Sequence, residues 1–304
     1  MGFPLQRGSR AVALIGSAIL ALTACTNASE AGARTSSFDP TALAEDESLA
    51  SQVPAAIKSK GTLVVGSDTS FAPSEFLGGP DNQTPMGYDV DLAKAIAATL
   101  GLRANVETAG FASILPALGP KYDLGISNFV VTSERLKAVN MVTYGTASSA
   151  WAVQKGNPKN FSVDGVCGTK VGVQTGSIQA DDVAALNDKC IQSGKQPIEV
   201  IALDKQTDVN TRLVNGAIDA MDSASDVVGY AIQQAQGAIE KLGDTYDSAP
   251  QGIAIAKDDP ALADLIQKVM AKLMADGTYK KILDTWNVSD IGVAKSELNP
   301  QLAS

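Results

Sequence analysis

The amino-acid sequence predicts an α/β fold, because short apolar segments typical of β-strands alternate with helical patterns along most of its 304 residues. The first predicted strand is Gly61–Gly66, and the first long helix covers residues 90–100. Leu92 and Ile96 lie on one face of that helix, and Gly101 is placed to end it.

The same alternation continues to the C-terminal part of the chain. Further strands are predicted at residues 124–127, 150–153, 170–174, 198–202 and 252–256. Further helices are predicted at residues 178–188, 205–215, 227–236 and 261–276. This order favours mainly parallel sheets, since a helix between two strands lets them run in the same direction.

Two segments resemble each other and indicate two similar halves. Tyr122–Ser127 and Ile218–Ser223 each enter a predicted strand through an aspartate, Asp123 or Asp219. We expect each half to present a strand end to a common cleft.

Composition excludes several classes of function. The chain is 45% hydrophobic and 19% charged, with a net charge of −9, so it can build large cores but lacks the basic character of nucleic-acid-binding proteins. It contains no histidine, which removes His-based triads and His metal sites. Catalytic sites can still be built from carboxylates, so composition alone does not exclude an enzyme. We expect no enzyme activity, no cofactor, no metal and no nucleic-acid partner.

The N-terminus has the pattern of an exported protein. Arg7 and Arg10 precede the uncharged stretch Ala11–Leu22, which as a helix is about 18 Å long and too short for a membrane core of about 30 Å. Residues 1–24 are therefore predicted to be a signal peptide. Leu22–Cys25 resembles a bacterial lipobox, so we expect a lipid on Cys25; an ordinary cleavage site with an incidental cysteine is the alternative.

Two features follow from this expected location on the outer face of the cell membrane. Residues 25–51 are rich in small, polar and acidic residues without a sustained period, which predicts a flexible tether. Cys167 and Cys190 would lie in an oxidising compartment, which favours a disulfide over two free buried thiols.

Several short motifs follow one another along the chain. They are Val65–Phe76, Met86–Ala93, Phe111–Leu118, Asp123–Arg135, Val171–Ser177, Gly216–Ala220, Asp276–Tyr279 and Trp286. In this order and spacing they resemble the bacterial solute-binding proteins of family 3, the amino-acid receptors of ABC importers, over about residues 61–287.

The resemblance implies a two-lobed type II periplasmic-binding fold with two hinge crossings. The first lobe would comprise residues 52–146 and 250–290, the inserted second lobe residues 150–247, and the C-terminal tail residues 291–304. The hinge would lie near residues 145–149 and 247–251. The protein would be a monomer that captures an amino-acid-like solute by lobe closure and delivers it to a membrane permease.

The resemblance also implies a ligand site. Arg135 matches the family's carboxylate-binding arginine, and a guanidinium is a permanently charged, bidentate clamp for a carboxylate. Without the motif, Arg135 would be a solvated residue in the first turn of a helix. Ser177 and Ile178 begin a predicted helix, where backbone N–H groups point towards an anion; Ser177 also suits a simple N-cap.

Other matched positions line the same site. Phe71 and Phe111 match pocket walls, although a lone Phe is usually a core residue. Asp68 matches the position that reads a polar ligand side chain, and its alternative role is in a turn. The remaining matches are the loop residues Ser127, Asn128 and Val130, which face the ligand's ammonium, and Gln174, which contacts the ligand in some relatives.

One position departs from the family pattern. Relatives carry an aspartate that pairs with the ligand's α-ammonium, and Ala224 occupies that position here. Asp222 and Asp226 flank it. Either one of them or Asp68 substitutes, or the natural ligand carries a different or displaced cationic group. Two other functions remain open: an exported dehydratase of the same fold, and a sensing or surface lipoprotein without a transport role.

Overall fold

The computed structural model describes residues 1–2 and 38–302. The predicted signal peptide, Cys25 and most of the predicted tether therefore lie outside the described residues. Within the described part of the chain, no helix is both long and apolar enough to cross a membrane.

The elements alternate between strands and helices as the sequence predicts. The α-helices are α1 Glu47–Ala50, α2 Ala55–Lys60, α3 Tyr88–Thr99, α4 Phe111–Ile114, α5 Ser133–Ala138, α6 Ile178–Gln192, α7 Gln206–Val214, α8 Ser225–Gln234, α9 Pro260–Ala275 and α10 Thr278–Thr285. The strands are β1 Thr62–Ser67, β2 Ser70–Phe71, β3 Glu75–Gly78, β4 Thr84–Met86, β5 Arg103–Thr108, β6 Leu124–Gly125, β7 Val139–Gln154, β8 Lys170–Gln174, β9 Glu199–Leu203, β10 Ala220–Ala224 and β11 Ile239–Ala256. Short 3-10 helices occupy Pro40–Ala42, Leu115–Ala117 and Ser289–Ile291.

Eight strands form one mixed sheet in the order β5-β1-β6-β11-β7-β10-β8-β9, and β2, β3 and β4 form a small antiparallel sheet. The outer groups β5-β1-β6 and β10-β8-β9 are parallel. The expectation of mainly parallel sheets fails in the middle, where β6, β11, β7 and β10 pair antiparallel. The reason is that β7 and β11 are long strands with polar central parts, so the sequence predicts only one end of each, residues 150–153 and 252–256.

The two similar segments have the same structural role. Asp123 precedes β6 and accepts a hydrogen bond from the backbone N–H of Val64 on β1, with an N–O distance of 2.7 Å. Asp219 precedes β10 and accepts from the backbone N–H of Lys170 on β8 at 2.9 Å. Each aspartate thus fixes the start of its strand against the parallel neighbour.

Local sequence explains where the helices next to the site begin. Gly87 precedes α3 with φ +127°, and a Cβ atom there would lie 2.1 Å from the carbonyl oxygen of Ser74, so only glycine fits. Thr132 caps α5, and Ser177 caps α6. These three helix starts all lie at the candidate site.

The apolar residues form separate cores. Two clusters, with Leu63, Ile96 and Met141 among their fully buried members, belong to residues 38–144 and 252–302, which we call region A. Two others, with Val173 and Met221 among their members, belong to residues 150–246, which we call region B. Strands β7 and β11 run from one region into the other. The division into two movable lobes stays a prediction.

The predicted tether ends earlier than residue 51. Residues 40–42 and 47–50 are helical, with Asp39 and Asp46 as N-caps, and Leu49 lies in the main core of region A. The flexible-tether prediction is therefore wrong for these residues, because a few apolar side chains are enough to dock a short helix that shows no sequence period.

The predicted disulfide is present between Cys167 and Cys190. Cys190 is almost fully buried in a core of region B, and Cys167 packs against the same core. The bridge joins the segment before β8 to the last turns of α6.

Candidate functional site

Asp68 lies directly after β1, at the surface where region A meets region B. Its carboxylate accepts hydrogen bonds from the backbone N–H groups of Ser70 at 3.0 Å and Phe111 at 3.2 Å. It also accepts from the Gln174 side-chain amide of region B at 2.6 Å. Burial raises the pKa of Asp68, and its hydrogen bonds oppose that shift. Asp68 thus holds a contact between the two regions.

Arg135 lies in the first turn of α5, where Thr132 accepts a hydrogen bond from its backbone N–H at 3.1 Å. Its guanidinium donates to the carbonyl oxygen of Val130 at 2.8 Å and, across to region B, to that of Gly176 at 3.2 Å. Its central carbon lies 5.6 Å from the ring centres of both Phe111 and Phe129. Burial lowers the pKa of the guanidinium, which remains charged. Val130 therefore contributes its carbonyl group, which orients Arg135.

Phe111 connects the anionic and cationic groups. Its backbone N–H donates to Asp68, while its ring lies beside Arg135 and stacks on Phe129 with centroids 4.8 Å apart. A cavity of about 200 Å³ borders it, lined by Gly110–Ser113 of region A and by Thr175 and Asp204 of region B. The structure therefore brings Asp68, Phe111 and Arg135 together.

Residues 174–178 form the facing edge of region B. The Ser177 hydroxyl donates to the carbonyl oxygen of Gln174 at 2.8 Å and accepts from the N–H of Ala180 at 3.1 Å. Ile178, the half-buried first residue of α6, has a backbone N–H without an acceptor inside the helix. Gly176 has φ +79°, and a Cβ atom there would lie 2.9 Å from the Cβ atom of Ala112. The two regions approach so closely here that a side chain has no room.

The loop of Ser127 and Asn128 rests on two acids that the sequence analysis leaves without a role. The Ser127 hydroxyl donates to Glu75 at 2.7 Å and accepts from the N–H of Asp68 at 2.9 Å. Asn128 has a left-handed backbone with φ +49°, and its N–H donates to Asp89 at 2.8 Å. Burial raises the pKa of Asp89 to about 7. It also raises that of Glu75 well above its ordinary value.

Asp226, in the first turn of α8, is the acid of region B that reaches region A. Its carboxylate accepts from the Tyr88 hydroxyl at 2.9 Å. Tyr88 in turn accepts from Ser74 at 2.8 Å, and Ser74 accepts from the Asn128 amide at 2.8 Å. Burial raises the pKa of Asp226. A continuous chain of hydrogen bonds therefore leads to Asp226 from Asn128, in the loop that is predicted to face the ligand's ammonium group.

Ala224 and Asp222 have different surroundings. Ala224 packs with Phe71 and Val227 in a small apolar cluster between the regions. The Asp222 carboxylate accepts a hydrogen bond from the Tyr246 hydroxyl, and burial raises its pKa to about 8. No hydrogen bond among the described residues joins Asp222 to the side chain of another predicted site residue. Of the two acids that flank Ala224, only Asp226 has a described hydrogen bond to the loop of Ser127 and Asn128.

Sequence reasoning gave no role to Glu75, Ser74, Tyr88 and Asp89. For two of them the sequence did contain a signal, since Glu75 and Asp89 are acidic residues inside segments whose other residues are typical of buried positions. Among the described residues, no group of three or more possible ligand side chains is arranged to hold a metal ion.

The fold and the site together define a class of binding protein: two regions joined by two long strands, with opposite charges collected where the regions meet. The sequence model of the bacterial extracellular solute-binding proteins, family 3, matches residues 63–289, and the chain belongs to this family.

Individual relatives narrow the comparison. The chain is 29% identical over 258 residues to an arginine-binding protein of Corynebacterium glutamicum, with 83% of each chain covered. It resembles the solved structure of an ancestral arginine-binding protein bound to arginine, with 33% identity, a TM-score of 0.68 and coverage of 74% of this chain and 98% of that one. It also resembles an ancestral amino-acid-binding protein described as a precursor of cyclohexadienyl dehydratase, with 29% identity, a TM-score of 0.67 and coverage of 76% and 97%.

Proposed function

We propose that this protein is the substrate-binding component of an ABC importer and that its ligand is a basic amino acid, with arginine as the first candidate. Membership of the solute-binding family supports the transport role. The named arginine-binding relatives support the choice of ligand.

The observation that carries the proposal is the set of uncompensated charges between the regions. Arg135, Asp68 and Asp226 are all buried or half-buried there, and none forms an ion pair with a described residue. Isolated charges are costly to bury, so the site favours a ligand that supplies the missing partners. A basic amino acid carries one carboxylate and two cations.

Each ligand group has a proposed partner. The carboxylate would take Arg135 and the N–H groups at the start of α6, near Ser177 and Ile178. The side-chain cation would take Asp68. The α-ammonium would take the Ser127–Asn128 loop together with Asp226, which offers a carboxylate in place of the one that Ala224 lacks.

Capture would occur by closure of regions A and B as the two predicted lobes. The long β7–β11 ladder has register shifts between Tyr246 and Ala249 and between Gln251 and Gly252, where the chain passes from region B to region A. Such irregularities interrupt the ladder and bend a strand, which suits a hinge. The contacts from Asp68 to Gln174 and from Arg135 to Gly176 would form on closure.

A ligand screen tests the proposal directly. Arginine, lysine, ornithine, citrulline and Nα-acetylarginine are compared by thermal shift and calorimetry, since a ligand at a hundredfold excess over Kd stabilises by about 2.7 kcal/mol. Arginine is expected to bind best, citrulline to lose affinity at Asp68, and the acetyl derivative to lose it at Asp226. Absence of binding by every compound with a basic side chain would contradict the ligand assignment.

Asp226→Asn tests the substituted ammonium partner. The variant should bind arginine about tenfold or more weakly, because a hydrogen-bonded charge is worth more than a neutral partner. Asp222→Asn serves as the matched control and should leave the affinity unchanged. Equal affinities for both variants and the parent would exclude Asp226.

The alternative function, an exported dehydratase, can be tested on the same purified protein. The similarity to a precursor of such an enzyme concerns a protein described as amino-acid-binding. Incubation with cyclohexadienyl acids, followed by product detection, would reveal an enzyme.

Lipid anchoring at Cys25 is also proposed, supported by the lipobox-like Leu22–Cys25 and by membership of an extracellular family. The parent should partition into the detergent phase, and Cys25→Ser should move to the aqueous phase. Unchanged partitioning of the variant would reject the anchor.

A further inference from the structure

Glu75 and Asp89 are buried carboxyl groups in region A that the proposed ligand contacts do not use. Glu75 is the first residue of β3, Asp89 is the second residue of α3, and both are fully inaccessible to solvent. The two carboxyl groups lie close enough for each to shift the pKa of the other. Two ionised carboxylates cannot hydrogen-bond to each other, since both are acceptors only.

The outer oxygen atoms of the two acids have donors. Glu75 Oε1 accepts from the Ser127 hydroxyl at 2.7 Å. Asp89 Oδ2 accepts from the Asn128 N–H at 2.8 Å and from the Tyr144 hydroxyl at 2.9 Å. The other two atoms, Glu75 Oε2 and Asp89 Oδ1, are buried and have no donor among the described groups.

We propose that Glu75 and Asp89 share one proton, held as Glu75 Oε2–H···Oδ1 Asp89, and that this acid pair positions the Ser127–Asn128 loop for ligand binding. The shared proton satisfies both orphaned oxygen atoms at once and reduces the charge of the pair from two to one. Asp89 keeps the negative charge, and with it the stronger charge-assisted hydrogen bond to the Asn128 backbone.

The contacts of the pair fix the position of the loop. Asn128 has a left-handed backbone, which asparagine adopts more readily than most residues other than glycine. Here one acid holds the hydroxyl of Ser127, the other holds the N–H of Asn128, and Gln251 donates to the Asn128 side-chain oxygen at 2.7 Å. Glu75 and Asp89 are therefore positioning residues.

The groups facing the pair also favour one proton. Asp68 after β1 and Asp226 of α8 are acids whose charges oppose further ionisation of the pair. Tyr88 of α3 and Tyr144 of β7 are phenols whose pKa values burial raises well above their ordinary range, so both remain neutral. No lysine or arginine of the described residues forms an ion pair with either acid.

The direct test is infrared spectroscopy of the parent protein in D2O, with and without glutamate labelled with ¹³C at the side-chain carboxyl. A protonated-carboxyl band should be present at pH 7 and should shift on labelling. Absence of a labelled band at pH 7 would overturn the proposal. This measurement needs no ligand, so its outcome is independent of the proposed function.

Variants test the proton count. In Glu75→Gln an amide N–H replaces the shared proton and the amide oxygen still accepts from Ser127, so arginine affinity at pH 6 should stay within about threefold of the parent. The double variant Glu75→Gln, Asp89→Asn has two amides and no carboxylate for the Asn128 N–H, and should bind about tenfold or more weakly or fail to fold. A double variant that folds and binds arginine as tightly as the parent would show that the Asn128 N–H needs no charged acceptor. That result would contradict the proposed acid pair.

The pH dependence separates a proton-holding pair from a merely space-filling one. The raised pKa of Glu75 means that the folded state is most stable with the proton bound, and that this stability is lost as the pH rises from about 4 towards the raised folded pKa. Glu75→Gln cannot lose this proton, so its unfolding temperature should fall less than the parent's between pH 6 and 9. Exposed Glu47→Gln is the matched control and should follow the parent. Identical profiles for Glu75→Gln and the parent would contradict the proposal.

The experiments that measure arginine affinity rest on the proposed function, whereas the infrared and stability experiments do not.

Discussion

Regions A and B meet at the candidate site with different chemistry. Region A supplies charged side chains, Asp68 and Arg135, and holds them with backbone groups, aromatic rings and a buried polar network. Region B supplies the start of α6, the backbone of Gly176 and one acid, Asp226. Under the proposed function, region A supplies the partners of the ligand's side-chain cation and carboxylate, while region B adds Asp226 and the contacts made on closure.

The largest expected effect belongs to region A. Arg135→Ala should keep the fold and weaken arginine binding by about 2–5 kcal/mol, the range for truncating one member of a buried charge pair. Arg103→Ala, an exposed arginine on β5 of the same region, is the matched control and should bind like the parent. Calorimetry showing parental affinity in a folded Arg135→Ala protein would remove Arg135 from the site.

A stability change confined to region B should leave ligand choice untouched. Replacing both Cys167 and Cys190 by alanine should lower the free energy of unfolding by about 3 kcal/mol on the chain-entropy model for this loop length. Denaturant unfolding with and without reductant measures the effect. The folded double variant should keep the parent's order of preference among ligands, and a changed order would break the comparison between the regions.

Closure is tested by a pair of glycine variants in region B. Gly176→Ala places a Cβ atom 2.9 Å from Ala112 of region A, whereas Gly194→Ala meets no atom within 4 Å. Both glycines have positive φ, +79° and +67°, so the backbone strain is matched. Gly176→Ala alone should weaken arginine binding, by about 1–3 kcal/mol, as overpacking of a close contact does. Equal affinities of the two variants would show that the regions do not need this contact.

An effect that is small within any one pH unit concerns Asp222, the buried acid of region B whose carboxylate accepts from Tyr246. Burial raises the pKa of Asp222 to about 8, so the folded state is most stable with this proton bound and loses that stability as the pH rises from about 4 through 8. Asp222→Asn should flatten the fall in unfolding free energy across this range, by at most about 1.4 kcal/mol per pH unit. Denaturant unfolding at a series of pH values measures it, and an unchanged slope would show that Asp222 does not carry the proton.

Much of the fold follows from local signals. The Asp123 and Asp219 segments show the same pattern in sequence and make the same contact, since an aspartate before a strand can bind the N–H of a parallel neighbour in either region. The long strands β7 and β11 were only partly predictable, because their polar central parts are held by backbone pairing that leaves no apolar trace.

At the site, residues in recognisable motifs were predictable and their partners were not. Arg135 and Asp68 follow from residue chemistry combined with the family resemblance. The contacts from Arg135 to Gly176 and from Asp68 to Gln174 join residues 41 and 106 positions apart, and depend on how the regions meet. Glu75 and Asp89 carry no motif for a shared proton, since that proton exists only where folding removes water from both groups.

The sequence by itself determined the alternation of strands and helices, the family, the cysteine pair and the identity of the principal charged residues, because these depend on composition, period and short motifs. Only the tertiary structure decided which of the two acids that flank Ala224 lies beside the loop of Ser127 and Asn128. Asp222 and Asp226 are four residues apart and equally acidic, yet Tyr246 binds the first and Tyr88 of region A binds the second. That choice depends on burial and on neighbours distant in the chain, which set both the direction of a side chain and the cost of its charge.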